Sequence, residues 1–200
     1  MVKAIIFDIG KVLVDFDNDL FIRKISKTSN KSSQEIHDLI YNSSNLTKEY
    51  EVGKISSQEF FNKSKKLCKL KISEENFQEA YSNIFTPIDD SLDLVKKLKK
   101  KYQLALLSNI SEWDFEIGIK PILKDLFKEM TLSYKVKYLK PAKEIYLDLI
   151  NKLNLNAEEC IFIDDLEKNV IGAKKIGIKT IQYKSYKNLL KELRKLGVEI

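Results

Sequence analysis

Residues 1–17, MVKAIIFDIGKVLVDFD, decide the fold. The run Ala4-Ile5-Ile6-Phe7 has no polar member, which suits a strand buried on both faces, and it ends on Asp8 followed by a turn at Gly10. Such a strand delivers one carboxylate to its carboxyl end, the edge where open α/β sheets hold ligands. An aspartate at a strand end also commonly caps a turn, so Asp8 alone defines no site.

Three further segments make Asp8 informative. Leu104-Ala105-Leu106-Leu107 is a second apolar run, and it ends on Ser108-Asn109, small polar groups suited to an anion. Ile161-Phe162-Ile163 is a third, ending on the acidic pair Asp164-Asp165. Lys140-Pro141 opens the helix-patterned stretch from Ala142 to Leu153. Brought to one sheet edge, these ends supply a carboxylate nucleophile, hydrogen-bond donors, a fixed cation and acids able to hold Mg²⁺. Phosphoryl transfer needs that set. Each part also has a plainer reading: a strand-to-helix cap for the acidic pair, a solvent-facing side chain for Lys140.

From Asp17 to Phe85 the pattern is helical, with apolar faces at Leu20, Phe21 and Ile25, at Ile36, Leu39 and Ile40, at Phe60, Phe61 and Leu67, and at Phe77, Tyr81 and Phe85. Ser32-Ser33 and Ser56-Ser57, each followed by Gln-Glu, read as N-cap regions. After Pro87 strand and helix alternate: helix 89–101, strand 103–107, a helix-prone region 112–127, strand 130–133, helix 142–153, strand 160–163, helix 169–176, strand 180–182 and helix 186–196. Alternation predicts right-handed crossovers and a parallel sheet covered on both faces. The first strand belongs to that sheet, so a helical cap, residues 17–85, is inserted into an α/β core made of 1–16 and 86–200.

The order DxGxV, apolar-SN, KP and apolar-DD, with Asn169 and Gly172-Ala173 following, resembles the haloacid dehalogenase-like (HAD) hydrolases over nearly the whole chain. FDIGKVLVDFD, LLSNIS and YLKPAKEIY are most similar to the capped branch containing bacterial sugar-phosphate phosphatases such as α-glucose-1-phosphate phosphatase, and Tyr50-Glu51 with Gly53 and Ile55-Ser56 is similar to its cap signature. The resemblance implies a HAD-like, Rossmann-like sheet in the order 5-4-1-2-3 and a Mg²⁺-dependent phosphatase acting on a small phosphorylated metabolite of the sugar-phosphate class. It implies Asp8 as nucleophile forming an aspartyl-phosphate, Ser108 and Asn109 as phosphoryl-binding residues, and Lys140 as the cation neutralising both nucleophile and phosphate. It also implies Mg²⁺ on Asp8, the Gly10 carbonyl and the acidic pair, Asp165 ligating directly and Asp164 assisting.

Gly10 departs from the family pattern, in which most phosphatases carry a second aspartate that moves protons. Proton transfer by a positioned group is worth about 10²- to 10⁴-fold. Three outcomes follow: preference for good leaving groups, substitution by another acid such as Asp15 or Asp17, or loss of turnover. Lys11 departs too. Its amide is expected to face phosphate and its side chain to add charge near the mouth. A 2-haloacid dehalogenase, which attacks carbon without a metal, and a non-catalytic binding protein are the competing readings. The acidic pair argues against the first, and Gly10 motivates the second.

Composition narrows the classes further. With 44% hydrophobic and 32% charged residues, the chain reads as an ordinary soluble globular protein. No apolar run approaches the roughly 20 residues of a membrane span and no signal-peptide pattern opens the chain, so no membrane partner and a cytoplasmic location are expected. The net charge of +6 comes from lysines interleaved with acids along helices, a solvated pattern rather than a nucleic-acid motif. Cys68 and Cys160 have no motif around them and fit a reducing compartment. His37 is the only histidine, which excludes histidine-based triads and His-rich zinc sites. Trp113, Phe115, Tyr41, Tyr50, Phe60 and Phe61 are expected mostly in the core. Monomer and homodimer stay equally open.

Overall fold

Alternating residues of the first strand feed two different cores. In the computed structural model, which describes all 200 residues, Ile5 and Phe7 belong to one buried apolar cluster and Ala4 and Ile6 to another. A strand with no exposed face sits at the centre of a sheet. The strands in chain order are β1 (Ala4–Phe7), β2 (Val14–Phe16), β3 (Phe85–Pro87), β4 (Gln103–Ser108), β5 (Glu129–Leu132), β6 (Cys160–Asp164) and β7 (Lys179–Gln182). Five form a parallel sheet ordered β5-β4-β1-β6-β7, while β2 and β3 pair antiparallel. Counting only the parallel strands, this is the expected order.

The helices are α1 (Asn18–Ser26), α2 (Ser33–His37), α3 (Leu46–Glu51), α4 (Ser57–Cys68), α5 (Glu74–Ser82), α6 (Asp89–Leu98), α7 (Lys120–Leu123), α8 (Ser133–Val136), α9 (Lys143–Leu153), α10 (Glu167–Lys174) and α11 (Tyr186–Lys195). Leu94, Val95 and Leu98 of α6 and Leu189 and Leu193 of α11 pack with Ile5 and Phe7 on one face of the sheet. Ile145, Tyr146 and Leu149 of α9 and Ala173 of α10 cover the other, with Ala4 and Ile6. No helix is long and apolar enough to cross a membrane.

Between β2 and β3 the chain is helical, as its pattern predicts. Ser32 and Ser56 cap α2 and α4 in reciprocal capping boxes closed by Glu35 and Glu59. The helices enclose a separate apolar cluster built on Phe21, Tyr50, Phe60, Phe77 and Tyr81. Trp113, from beyond β4, joins that cluster and ties it down: its N–H donates to the Tyr50 hydroxyl at 3.1 Å, and its carbonyl accepts from Ser82 Oγ at 3.2 Å. The β2–β3 ribbon through which the chain leaves and returns was not legible in the sequence. Each strand is three residues long, with Phe16 opposite Phe85, and such lengths carry no periodicity.

The helix-prone region 112–127 is helical over 112–123, though not as one regular α-helix. It forms a π-helical turn, Asp114–Ile119, and then the short α7. Gly118 accounts for part of this: a Cβ there would lie 2.6 Å from the Phe85 ring and 2.7 Å from the Ser82 carbonyl, so the backbone packs directly under the ribbon. A second π turn, Asp38–Asn42, follows α2. Tyr50, Phe60, Phe61, Trp113 and Phe115 are buried, as expected for core aromatics, whereas Tyr41 is only partly so. His37 is half-buried beside Asp38 and Tyr41. Cys68 and Cys160 are buried free thiols whose pKa burial pushes up to about 11.

Candidate active site

Parallel register brings the strand ends together. Phe7 lies opposite Leu106 of β4 and Ile163 of β6, so the next residue of each strand falls in one row with neighbours about 4.8 Å apart. Asp8 continues the ladder, its N–H donating to the Ile163 carbonyl at 2.9 Å. Ser108 Oγ donates to Asp8 Oδ1 at 2.8 Å, and the Ile9 N–H reaches the same oxygen at 2.7 Å. Oδ2 of Asp8 accepts no hydrogen bond from the protein.

Lys140 arrives from the loop before α9, and its side chain is 1% exposed. Its ammonium lies 2.9 Å from Asp8 Oδ1 and 2.6 Å from Asp164 Oδ2, and donates to the Leu107 carbonyl at 3.0 Å. Asn109 holds the lysine backbone from both sides: its Oδ1 accepts from Lys140 N at 2.7 Å and its Nδ2 donates to Lys140 O at 3.1 Å. The Asn109 side chain is thereby committed to placing Lys140. The backbone N–H groups of Asn109 and Gly10 have no protein partner.

The two acids of the pair differ. Asp164 is fully buried and fully engaged, accepting from Leu166 N at 2.8 Å, from Asn169 Nδ2 at 3.0 Å on both oxygens, and from Lys140. Asp165 is partly exposed and its carboxylate takes no side-chain donor. Oxygens of Asp8, Asp164 and Asp165 lie within 4.8 Å of one another. Burial pushes the Asp8 carboxyl up to about 6 against the pull of Lys140, with Asp164 adding to the rise. Burial and then the Asp164 charge raise Asp165 as well. Three carboxylates facing one ammonium, with only hard oxygen donors and a Gly10 carbonyl that accepts no hydrogen bond, fit a magnesium-sized dication.

Asp15 and Asp17, the acids that one of the three outcomes would bring to proton transfer, have other partners. Asp15 pairs with Lys11, a contact that holds its carboxyl below the usual range, and its side chain is exposed. Asp17 caps α1 by accepting from Asp19 N at 2.9 Å and pairs with Arg23 at 3.3 Å. Lys11 also differs from expectation. Its N–H donates to Val14 O at 2.7 Å rather than facing the site, and its ammonium lies over the Phe16 ring, 4.7 Å from the centroid. The left-handed conformation in this turn belongs to Lys11, with φ 58°, and not to Gly10.

A cavity of about 120 Å³ opens between this row and the helical segment, lined by Gly10, Ser108 and Asn109 below and by Tyr41, Thr47, Glu51, Tyr81 and Asp114 above. In the sequence Glu51 stands out only as part of the cap signature, and Asp114 does not stand out. A single acid inside an amphipathic stretch carries no signal until the chain is folded around it.

The order of these strand ends and the geometry they make agree with a match of residues 2–177 to the family model for haloacid dehalogenase-like hydrolases. The chain belongs to the haloacid dehalogenase-like hydrolases. It is 31% identical over 191 residues to D-ribitol-5-phosphate phosphatase of Bacteroides thetaiotaomicron, covering 91% of this chain and 92% of that one. It is 25% identical over 194 residues to a phosphorylated carbohydrates phosphatase of Thermotoga maritima, covering 90% and 83%. Among solved structures it resembles a HAD family enzyme of Bacteroides thetaiotaomicron in complex with magnesium and inorganic phosphate, at TM-score 0.81 and 26% identity over 92% of this chain and 95% of that one. This HAD chain thus matches, over most of their length, phosphatases whose names specify phosphorylated carbohydrates.

Proposed function

We propose that this hydrolase is a Mg²⁺-dependent phosphatase that releases phosphate from a small phosphorylated carbohydrate through an aspartyl-phosphate on Asp8. The observation that carries the reading is the buried row in which Asp8 keeps one oxygen free while Ser108 and Lys140 hold the other. Its similarity to phosphatases of phosphorylated carbohydrates supports the substrate class.

The free carboxylate oxygen of Asp8 attacks phosphorus, and the bond from phosphorus to the ester oxygen breaks. Lys140, Ser108 and the unpaired N–H groups of Gly10 and Asn109 bind the phosphoryl oxygens, so charge moving onto them meets fixed donors. Water then attacks phosphorus, releasing inorganic phosphate and restoring the carboxylate. Asp8, Asp165 and the Gly10 carbonyl would hold Mg²⁺, with Asp164 fixing Lys140 and Asn169 behind them. When bound, the dication offsets the repulsion between an anionic nucleophile and an anionic ester. Asp15 and Asp17 being committed elsewhere, the leaving oxygen takes its proton from water, which favours leaving groups that depart readily.

Residues 17–85 form the cap in this reading and 1–16 with 86–200 the catalytic core, the β2–β3 ribbon being the joint. Turnover of p-nitrophenyl phosphate with and without Mg²⁺ separates the alternatives. The phosphatase requires the metal, a dehalogenase leaves the ester intact and releases halide from a 2-haloacid without metal, and a binding protein does neither.

A further inference from the structure

The cavity above the phosphoryl site is walled by polar side chains that the protein leaves largely without partners, and one of their atoms is buried, where roughly nine in ten polar groups find a partner. Asp114 Oδ2 accepts from Ser111 Oγ at 2.7 Å, but Oδ1 is sealed from solvent and bonded to nothing. Tyr81 is 3% exposed, and its hydroxyl lies against both the Asp114 carboxylate and the Ser111 hydroxyl without closing a bond of normal geometry to either. The Tyr41 hydroxyl and the Glu51 carboxylate also have no protein hydrogen-bond partner. Two of these residues, Tyr41 and Asp114, stand on the chain's two π turns, a distortion often found at functional sites.

We propose that this cavity is the leaving-group subsite, in which Asp114, Glu51, Tyr41 and Tyr81 select a small, uncharged, hydroxyl-rich group and turn away one carrying a second negative charge. The inference rests on the phosphatase reading of the row beneath. At about 120 Å³ the cavity is far below the roughly 300–1,000 Å³ that houses drug-sized ligands, so the group is a few carbons long. Hydroxyls both donate and accept, which matches a mixture of carboxyl and phenol partners. Burial raises Asp114 and Glu51 to about 7 each, so both protonation states are accessible near neutrality and either can bond a hydroxyl. A second anionic group on the substrate would meet two acids and no cation on the cavity wall.

The test is steady-state kinetics of the wild type, Asp114→Ala and Asp114→Asn on ribitol 5-phosphate, phosphoglycerate, phosphoethanolamine and p-nitrophenyl phosphate. The wild type should prefer the polyol ester to phosphoglycerate at least tenfold in kcat/KM. In Asp114→Ala the ratio of polyol to p-nitrophenyl ester should fall about 10- to 100-fold, the range for losing a hydrogen bond to a charged group. In Asp114→Asn the discrimination against phosphoglycerate should narrow. An unchanged polyol-to-nitrophenyl ratio, or phosphoethanolamine as the best substrate, overturns the assignment while leaving the phosphatase reading intact. Failure of the wild type on every ester, nitrophenyl included, overturns both. If circular dichroism shows either Asp114 variant to be unfolded, Tyr81→Phe and Glu51→Gln carry the same expected loss of ratio, and a ratio unmoved in both overturns the proposal.

Discussion

Lys140→Met keeps the length of a buried side chain and removes its charge, and the consequence follows from three distances. The ammonium is 2.9 Å from Asp8, 2.6 Å from Asp164 and 3.0 Å from the Leu107 carbonyl, with the side chain 1% exposed. Removing one member of a buried ion pair costs about 3–5 kcal/mol because the other is left uncompensated, and an orphaned carbonyl adds about 1–3 kcal/mol. The sum is a large part of the 5–15 kcal/mol that typically holds a domain together. Burial already raises Asp8 to about 6 with Lys140 pulling it down, so without the lysine it rises further. A carboxyl raised in the folded state contributes stability that is full below its unfolded pKa near 4 and is lost as pH climbs through the folded value.

Urea unfolding of the metal-free protein should therefore show Lys140→Met losing about 4–8 kcal/mol near pH 8, and much less near pH 5 where protonation relieves the acids. Mg²⁺ should stabilise the variant more than the wild type, because a bound dication replaces the missing charge. A loss below about 1 kcal/mol near pH 8, or one equal at both pH values, would refute the coupling of Lys140 to these carboxylates.

Gly10→Asp restores the acid that most relatives carry. A Cβ there meets only the Phe16 ring, at 3.1 Å, and no left-handed φ opposes it, so the variant should fold and gain up to about 10²-fold on alkyl phosphates with little gain on p-nitrophenyl phosphate; an unchanged ratio of the two rates would show that proton transfer does not limit turnover. Asp114→Asn removes an acid held near 7 against an ordinary value of 3.8. Its cost grows as pH rises from about 4 through 7, so the variant should be more stable than the wild type near pH 8, by up to about 4 kcal/mol, and equal near pH 4, and thermal melts at the two pH values check this. Deleting 17–85 across the β2–β3 ribbon should leave a folded sheet, since β1 pairs with β4 and β6 rather than with the helices; a random-coil circular dichroism spectrum would make the two parts one folding unit.

That these side chains meet in one row was legible because each sits at the end of a long apolar run or beside a proline, and parallel register does the rest. The capping serines were legible for a similar reason, since a capping box is local. The non-local parts were not. The β2–β3 ribbon depends on Phe16 and Phe85 meeting across the whole helical segment. The π-helical stretch after Trp113 comes close under that same ribbon at Gly118, a contact set by Phe85 and Ser82 far away in sequence. Asp15 and Asp17 looked available in sequence, where nothing shows that Lys11 and Arg23 claim them. Asn109 matched a phosphoryl-binding position, yet its amide is spent on the backbone of Lys140, thirty-one residues away. Asp114 and Glu51 become a pair only when the helical segment closes over β4.

The central claim is covalent attack by Asp8, and the most direct measurement is acid quenching of the protein during turnover of labelled phosphomonoester with Mg²⁺, followed by peptide mapping. One phosphoryl group should appear on the peptide carrying Asp8, be removed by hydroxylamine as an acyl phosphate is, and be missing from Asp8→Asn together with phosphate release. Label on another residue, or phosphate released at the wild-type rate by Asp8→Asn, would contradict it.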